Sequence, residues 1–113
     1  MRDEKIGEFL GRVADRVPAP GGGASAALQS ALGAALLGMV ARYSTGEQYA
    51  DHQEAIGRIL AEADELRSIA LRLAEADAEA FMAVSEAYQM PKSTEADRVA
   101  RAAAIARALV NAA

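Results

Sequence analysis

PAPGGGASAALQSALGAALLGMVAR, Pro18 to Arg42, joins two prolines and three successive glycines to a run of small and apolar residues with no charge before Arg42. Proline fixes φ and cannot continue a helix, and glycine tolerates φ > 0, so Pro18 to Gly23 is expected to form a tight turn. A helix is then expected from Ala24 to about Tyr43. Its i, i+4 row Ala26, Ser30, Ala34 and Gly38 is small at every step, with Ala27, Ala31 and Ala35 beside it. Such a face lets other backbones approach closely, so this helix is expected to be central and packed on several sides.

The rest of the chain supports an all-α reading. In 113 residues there is room for one domain of modest core, and the 52% hydrophobic fraction owes much to alanine. Aromatics make up only 4%, and β-branched residues are scarce beside Ala, Leu, Glu and Arg, which favours helix over sheet. The net charge of −4 is spread over both signs and leaves no basic cluster, which argues against a nucleic-acid partner. The absence of cysteine excludes disulfides and thiolate metal sites. Charges occupy MRDEKIGEFL where a signal peptide needs an apolar core, so a cytoplasmic protein is expected. The eighteen uncharged residues Ala24 to Ala41 approach the length of a membrane span. Ser25, Gln29 and Ser30 interrupt the run and about half of it is Ala and Gly, so no membrane association is expected.

Outward from that stretch, Ile6, Phe9, Leu10, Val13 and Val17 recur at three and four residues and predict an amphipathic helix from about Asp3 to Arg16. On the other side, Ser44, Thr45 and Gly46 break the pattern before a long helix from about Tyr49 to Tyr88. There Ile59, Ala63, Leu66, Ala70, Leu73, Asp77, Ala80, Val84 and Ala87 form a heptad-like seam in which every member but Asp77 is apolar. Pro91 ends this helix. Thr94 followed by Asp97 reads as a capping-box start to a fourth helix, whose apolar face is Val99, Ala102, Ala103, Ala106 and Val110, broadened by Ile105 and Leu109. The chain reaches Ala113 with no C-cap glycine and no last-turn lysine, as if cut in mid-helix.

Asp77 is the residue that demands an explanation, because moving a carboxylate out of water costs several kcal/mol unless it is paired or changes protonation state. It reads either as a general acid or base tuned by partial burial, or as a structural carboxylate that pairs with an arginine or opens to solvent. Gly21, Gly22 and Gly23 read either as a wall of backbone N–H groups for an anion or polarised carbonyl, or as a corner that permits close helix packing. Lys92, Arg98 and Arg101 suit an anionic ligand or plain solvated charge. Phe81 and Tyr88 suit stacking on a heteroaromatic ligand or the core. His52 stands alone in a polar stretch and reads as surface.

PAPGGGASAALQSALGAALLGMV, STGEQY and EADAEAFMAVSEAYQMPKSTEADRVARAAAI together resemble the cyclodeaminase/cyclohydrolase family of folate enzymes, through the ordered signatures PGGG, DAxAF and PKxT. The resemblance implies an all-helical bundle of about four helices with one long one, completed by dimerisation to a homodimer or higher homo-oligomer. It implies that residues 1–113 are one helical domain corresponding to the N-terminal half of domains roughly twice as long. The activity implied is hydrolysis of 5,10-methenyltetrahydrofolate or cyclodeamination of 5-formiminotetrahydrofolate, with the tetrahydrofolate derivative as substrate and no cofactor. Asp77 would be the catalytic proton-transfer residue, and Gly21, Gly22, Gly23, Tyr88 and Lys92 would bind substrate, Lys92 at a carboxylate of the folate tail. The alternative is a non-catalytic helical oligomerisation or folate-binding protein that keeps the fold. The family carries basic residues after the glycine that matches Gly46; here Glu47 and Gln48 follow.

Overall fold

The computed structural model describes residues 1–112, and among these every regular element is helical: α1 (Ile6–Ala14), α2 (Gly22–Tyr43), a short 3-10 helix (Glu47–His52), α3 (Gln53–Tyr88) and α4 (Glu95–Ala112). The all-α class and the single long helix are as expected. Ala113, where the sequence looks cut in mid-helix, lies outside the described residues. The chain divides into two compact units, Met1–Ser25 with Glu75–Ala113, and Ala26–Ala74.

In the first unit α1 is shorter than its periodicity suggests. Lys5 and Asp15 are extended at its two ends, and residues 1–4 close a separate turn in which Glu4 N–H donates to the Met1 carbonyl at 3.1 Å. No α1 residue is buried.

The glycine turn differs from expectation in an instructive way. Gly22 and Gly23 belong to the first turn of α2, and the Gly21 carbonyl accepts both the Ser25 N–H at 3.0 Å and the Ser25 hydroxyl at 2.9 Å. None of these glycines has a positive φ; among the described residues that conformation occurs at Gly46, with φ 102°. Extending α2 backwards satisfies backbone groups, and glycine takes helical φ as readily as left-handed φ.

At the far end of this unit the Thr94 hydroxyl accepts the Asp97 N–H at 3.0 Å, capping α4 as its sequence indicates. Of the face expected to turn inward on α4 only Ile105 does so; the rest, Leu109 included, is exposed. Asp97, Arg101, Ala104, Ile105 and Ala108 are buried or half-buried, whereas Val99, Ala102, Ala103, Ala106 and Val110 are exposed. Both faces are rich in alanine, so periodicity identifies the helix without choosing its inner side.

In the second unit α2 is packed along one narrow stripe, not on several sides. Ala31, Ala34, Gly38 and Ala41 are buried, while Ala26 and Ser30 of the expected small row, and the large residues Leu32, Leu36, Leu37, Met39 and Val40, are exposed. α2 also has the length and hydropathy of a membrane span. On α3 the seam splits: Ala63 is buried and Ala70 half-buried, but Ile59, Leu66 and Leu73 face outward. The Arg42 guanidinium reaches across to Asp64 at 2.8 Å, with Arg67 at 3.7 Å from the same carboxylate. A Cβ on Gly38 would come within 3.0 Å of Arg42 and 3.5 Å of Asp64, so glycine leaves this pair its room. The pair is half-exposed, so it orients the helices more than it stabilises them.

Apart from Pro20 and Gly38, the buried residues of both units are alanines among the described residues. Burying a leucine side chain contributes about 1.5–3 kcal/mol, and a methyl group about 0.8. Much of the apolar stabilisation this sequence offers is therefore unrealised within the chain.

Candidate functional site

The PGGG and DAxAF stretches meet at Gly23 and Asp77. A Cβ built on Gly23 would lie 2.6 Å from Asp77 Oδ2 and 2.8 Å from its Cγ and Oδ1. The aspartate carboxylate thus rests directly on the backbone of the first turn of α2, where a side chain of any size would displace it. Gly23 is needed for this approach, and not for a turn. Gly21 and Gly22 have nothing within 4 Å of an added Cβ, so the three glycines are not equivalent.

The electrostatics of the contact follow from its position. The first N–H groups of a helix lack intrahelical partners, and the macrodipole is positive at that end, so the contact sets a carboxylate beside the positive end of α2. Asp77 is exposed. The partial burial expected of it is absent in this chain, and the seam at this point opens to solvent. Among the described residues it forms no salt bridge either, so an arginine partner does not explain it. What remains is an exposed carboxylate lying against the backbone of Gly23.

Helical spacing extends the site along α3. Asp77, Phe81, Val84 and Tyr88 recur at four, three and four residues and share one face. Phe81 and Tyr88, read as stacking or core residues, are both about half exposed, at 49% and 51%, and so do not belong to the core of this chain. Eleven residues of helix place Tyr88 roughly 16 Å from Asp77 along the axis. A ligand touching both must be extended.

Tyr88 has a partner that no sequence spacing announces. Arg101 of α4 lies over its ring at 5.5 Å from the centroid and donates Nε–H to the Tyr88 carbonyl at 3.2 Å. The cation therefore both caps the end of α3 and fixes the ring. Lys92 lies in the exposed connection to α4, and among the described residues it forms no salt bridge. Arg98 pairs with Glu95 on its own helix at 2.9 Å. His52 is exposed, as expected.

The opposite face of α3 lines a cleft of about 900 Å³ with Glu75, Glu79, Met82 and Glu86, together with Val17 to Pro20 and the N-terminal residues. Asp77 takes no part in it. Arg2 answers Glu75 at 3.2 Å. Among the described residues no cluster of His, Cys, Asp or Glu could hold a metal ion.

Comparison with known proteins gives this arrangement a context. Residues 5–113 match the family model described as formiminotransferase-cyclodeaminase. A methenyltetrahydrofolate cyclohydrolase of Methylorubrum extorquens is 39% identical over 108 residues, 95% of this chain and 52% of that protein. A formimidoyltransferase-cyclodeaminase of Mus musculus is 40% identical over 110 residues, 96% of this chain and 20% of that protein. A chicken protein of the same name is 34% identical over 105 residues. The chain spans about half the length of the first of these relatives and about a fifth of the mouse protein.

Proposed function

Since the chain belongs to the formiminotransferase-cyclodeaminase family, we propose that it acts in folate one-carbon metabolism, on the 5,10-methenyl or 5-formimino derivative of tetrahydrofolate, with Asp77 in proton transfer. The observation that carries this reading is the Asp77 carboxylate lying on Gly23 at the start of α2, where the matched PGGG and DAxAF stretches converge.

Both reactions pass through a tetrahedral one-carbon centre. In hydrolysis, water adds to the electrophilic methenyl carbon and loses a proton, which Asp77 accepts as it forms the carbinol. The carbon–N5 bond then breaks as N5 takes a proton, leaving the formyl group on N10 and one proton released overall. In cyclodeamination, N10 attacks the formimino carbon and the amino group leaves as ammonia after protonation. A carboxylate that both accepts and returns a proton serves either sequence. In this reading Tyr88, stacked under Arg101, and Lys92 take the far end of an extended folate, with Lys92 suited to a tail carboxylate. Gly23 acts by admitting the Asp77 carboxylate, while Gly21 and Gly22 leave open space for ligand at the same helix end.

The test is to present both folates to the purified chain and follow methenyl absorbance in the near ultraviolet. Loss from 5,10-methenyltetrahydrofolate, or gain from 5-formiminotetrahydrofolate, faster than the spontaneous reaction is expected. No acceleration of either would overturn the catalytic reading. The exposure of Asp77 and of the large apolar residues favours a second reading, a helical assembly or folate-binding protein without turnover. Folate binding with neither reaction accelerated would select it.

A further inference from the structure

The cleft on the far side of α3 from Asp77 lies wholly within the unit Met1–Ser25 with Glu75–Ala113, and the chemistry proposed above makes no use of it. Its floor is one stripe of α3. Glu75, Glu79, Met82 and Glu86 follow one another at four, three and four residues and so share a face. Its wall is Val17 to Pro20. Pro18 and Pro20 have no N–H to donate, and among the described residues no carbonyl from Val17 to Pro20 accepts a hydrogen bond. That wall supplies acceptors and few donors.

The charges point the same way. Asp3, Glu75, Glu79 and Glu86 line the cleft against two arginines, and both arginines are engaged, Arg2 with Glu75 at 3.2 Å and Arg12 with Glu4 at 2.7 Å. Among the described residues Asp3, Glu79 and Glu86 form no salt bridge. An anion would meet like charge here. A metal ion is not favoured either, because no three carboxylates converge closely enough to hold one among the described residues. Glu79 and Glu86 are separated by seven residues of helix, roughly 10 Å, with the apolar Met82 and Ala83 between them. No aromatic side chain lines the cleft, so a quaternary ammonium would lack the ring faces that it favours. A chain of protonated amines joined by methylenes meets every one of these conditions. We infer that the cleft is a binding site for an aliphatic polyamine, its ammonium groups on Glu79 and Glu86 and its methylenes over Met82 and Ala83. At about 900 Å³ the cleft falls within the size range of small-molecule sites. The site is independent of the reaction proposed for Asp77.

The test is calorimetric titration of the full chain with spermidine at low ionic strength. Saturable binding is expected, about tenfold tighter than that of the diamine putrescine, which is too short to bridge the two carboxylates. Glu79→Gln and Glu86→Gln are each expected to weaken spermidine by about fivefold, the loss of one charged contact. Glu62→Gln, exposed on α3 outside the cleft, should leave the affinity unchanged. All three positions are exposed, and circular dichroism checks that each variant is folded. Absence of saturable binding overturns the inference. Equal weakening by all three substitutions overturns it in favour of diffuse attraction to an acidic chain. Putrescine or Mg²⁺ binding as tightly as spermidine overturns it in favour of a simple cation site.

Discussion

Gly23 and Asp77 define each other. The carboxylate occupies the space that a Cβ at Gly23 would need, 2.6 Å from Oδ2, a separation that real Cβ atoms do not adopt. Gly23→Ala is therefore expected to push Asp77 off the helix end and lower turnover by about tenfold or more, the cost of misplacing a catalytic group by an ångström or so. Gly22→Ala, with open space around its Cβ, is expected to leave Asp77 in place, to raise KM more than it lowers kcat, and to raise stability by roughly 0.5–1 kcal/mol through helix propensity. Paired melting curves and rates check both, and equal effects of the two substitutions would contradict the geometry. Arg101→Ala removes the stacking on Tyr88 and a hydrogen bond to its carbonyl. A loss of about 1 kcal/mol is expected in denaturant unfolding, with a rise in KM exceeding any fall in kcat. The sequence singles out Asp77 because it alone breaks an apolar seam, whereas Arg101 sits thirteen residues from Tyr88 and no periodicity links them.

Among the helices, what was legible depended on local chemistry. The Thr94 cap was readable because a hydroxyl three residues ahead of an acidic residue is a self-contained signal, and it forms at 3.0 Å. Thr94→Ala is expected to cost about 1 kcal/mol and to fray the start of α4, while Thr94→Ser keeps most of it; hydrogen exchange at residues 95–98 distinguishes them. Inner faces were far less legible. α4 presents alanine on two sides, and the side bearing Asp97 and Arg101 turned inward, because Arg101 finds Tyr88 there. In α2 the small residues were recognised as a packing face, but the chain offers partners for only one stripe of them. The glycines before it read as a turn because their freedom is visible in sequence, while the carboxylate that one of them must accommodate lies fifty-four positions away in the chain.

For the molecule as a whole, buried alanines and exposed leucines are two aspects of one fact. Family membership supplies the context: this chain carries the stretches that form the Gly23–Asp77 contact and spans about half of the cyclohydrolase it resembles. Each exposed leucine or isoleucine of α2 and α3 stands to contribute about 1.5–3 kcal/mol when a neighbour covers it. The chemistry proposed here depends on one carboxylate. The direct measurement is the rate of 5,10-methenyltetrahydrofolate hydrolysis by the wild-type chain and by Asp77→Asn at equal concentration, with helical circular dichroism confirming that both are folded. The expected result is turnover above the spontaneous rate in the wild type and none in Asp77→Asn. Equal rates in the two proteins would contradict the account.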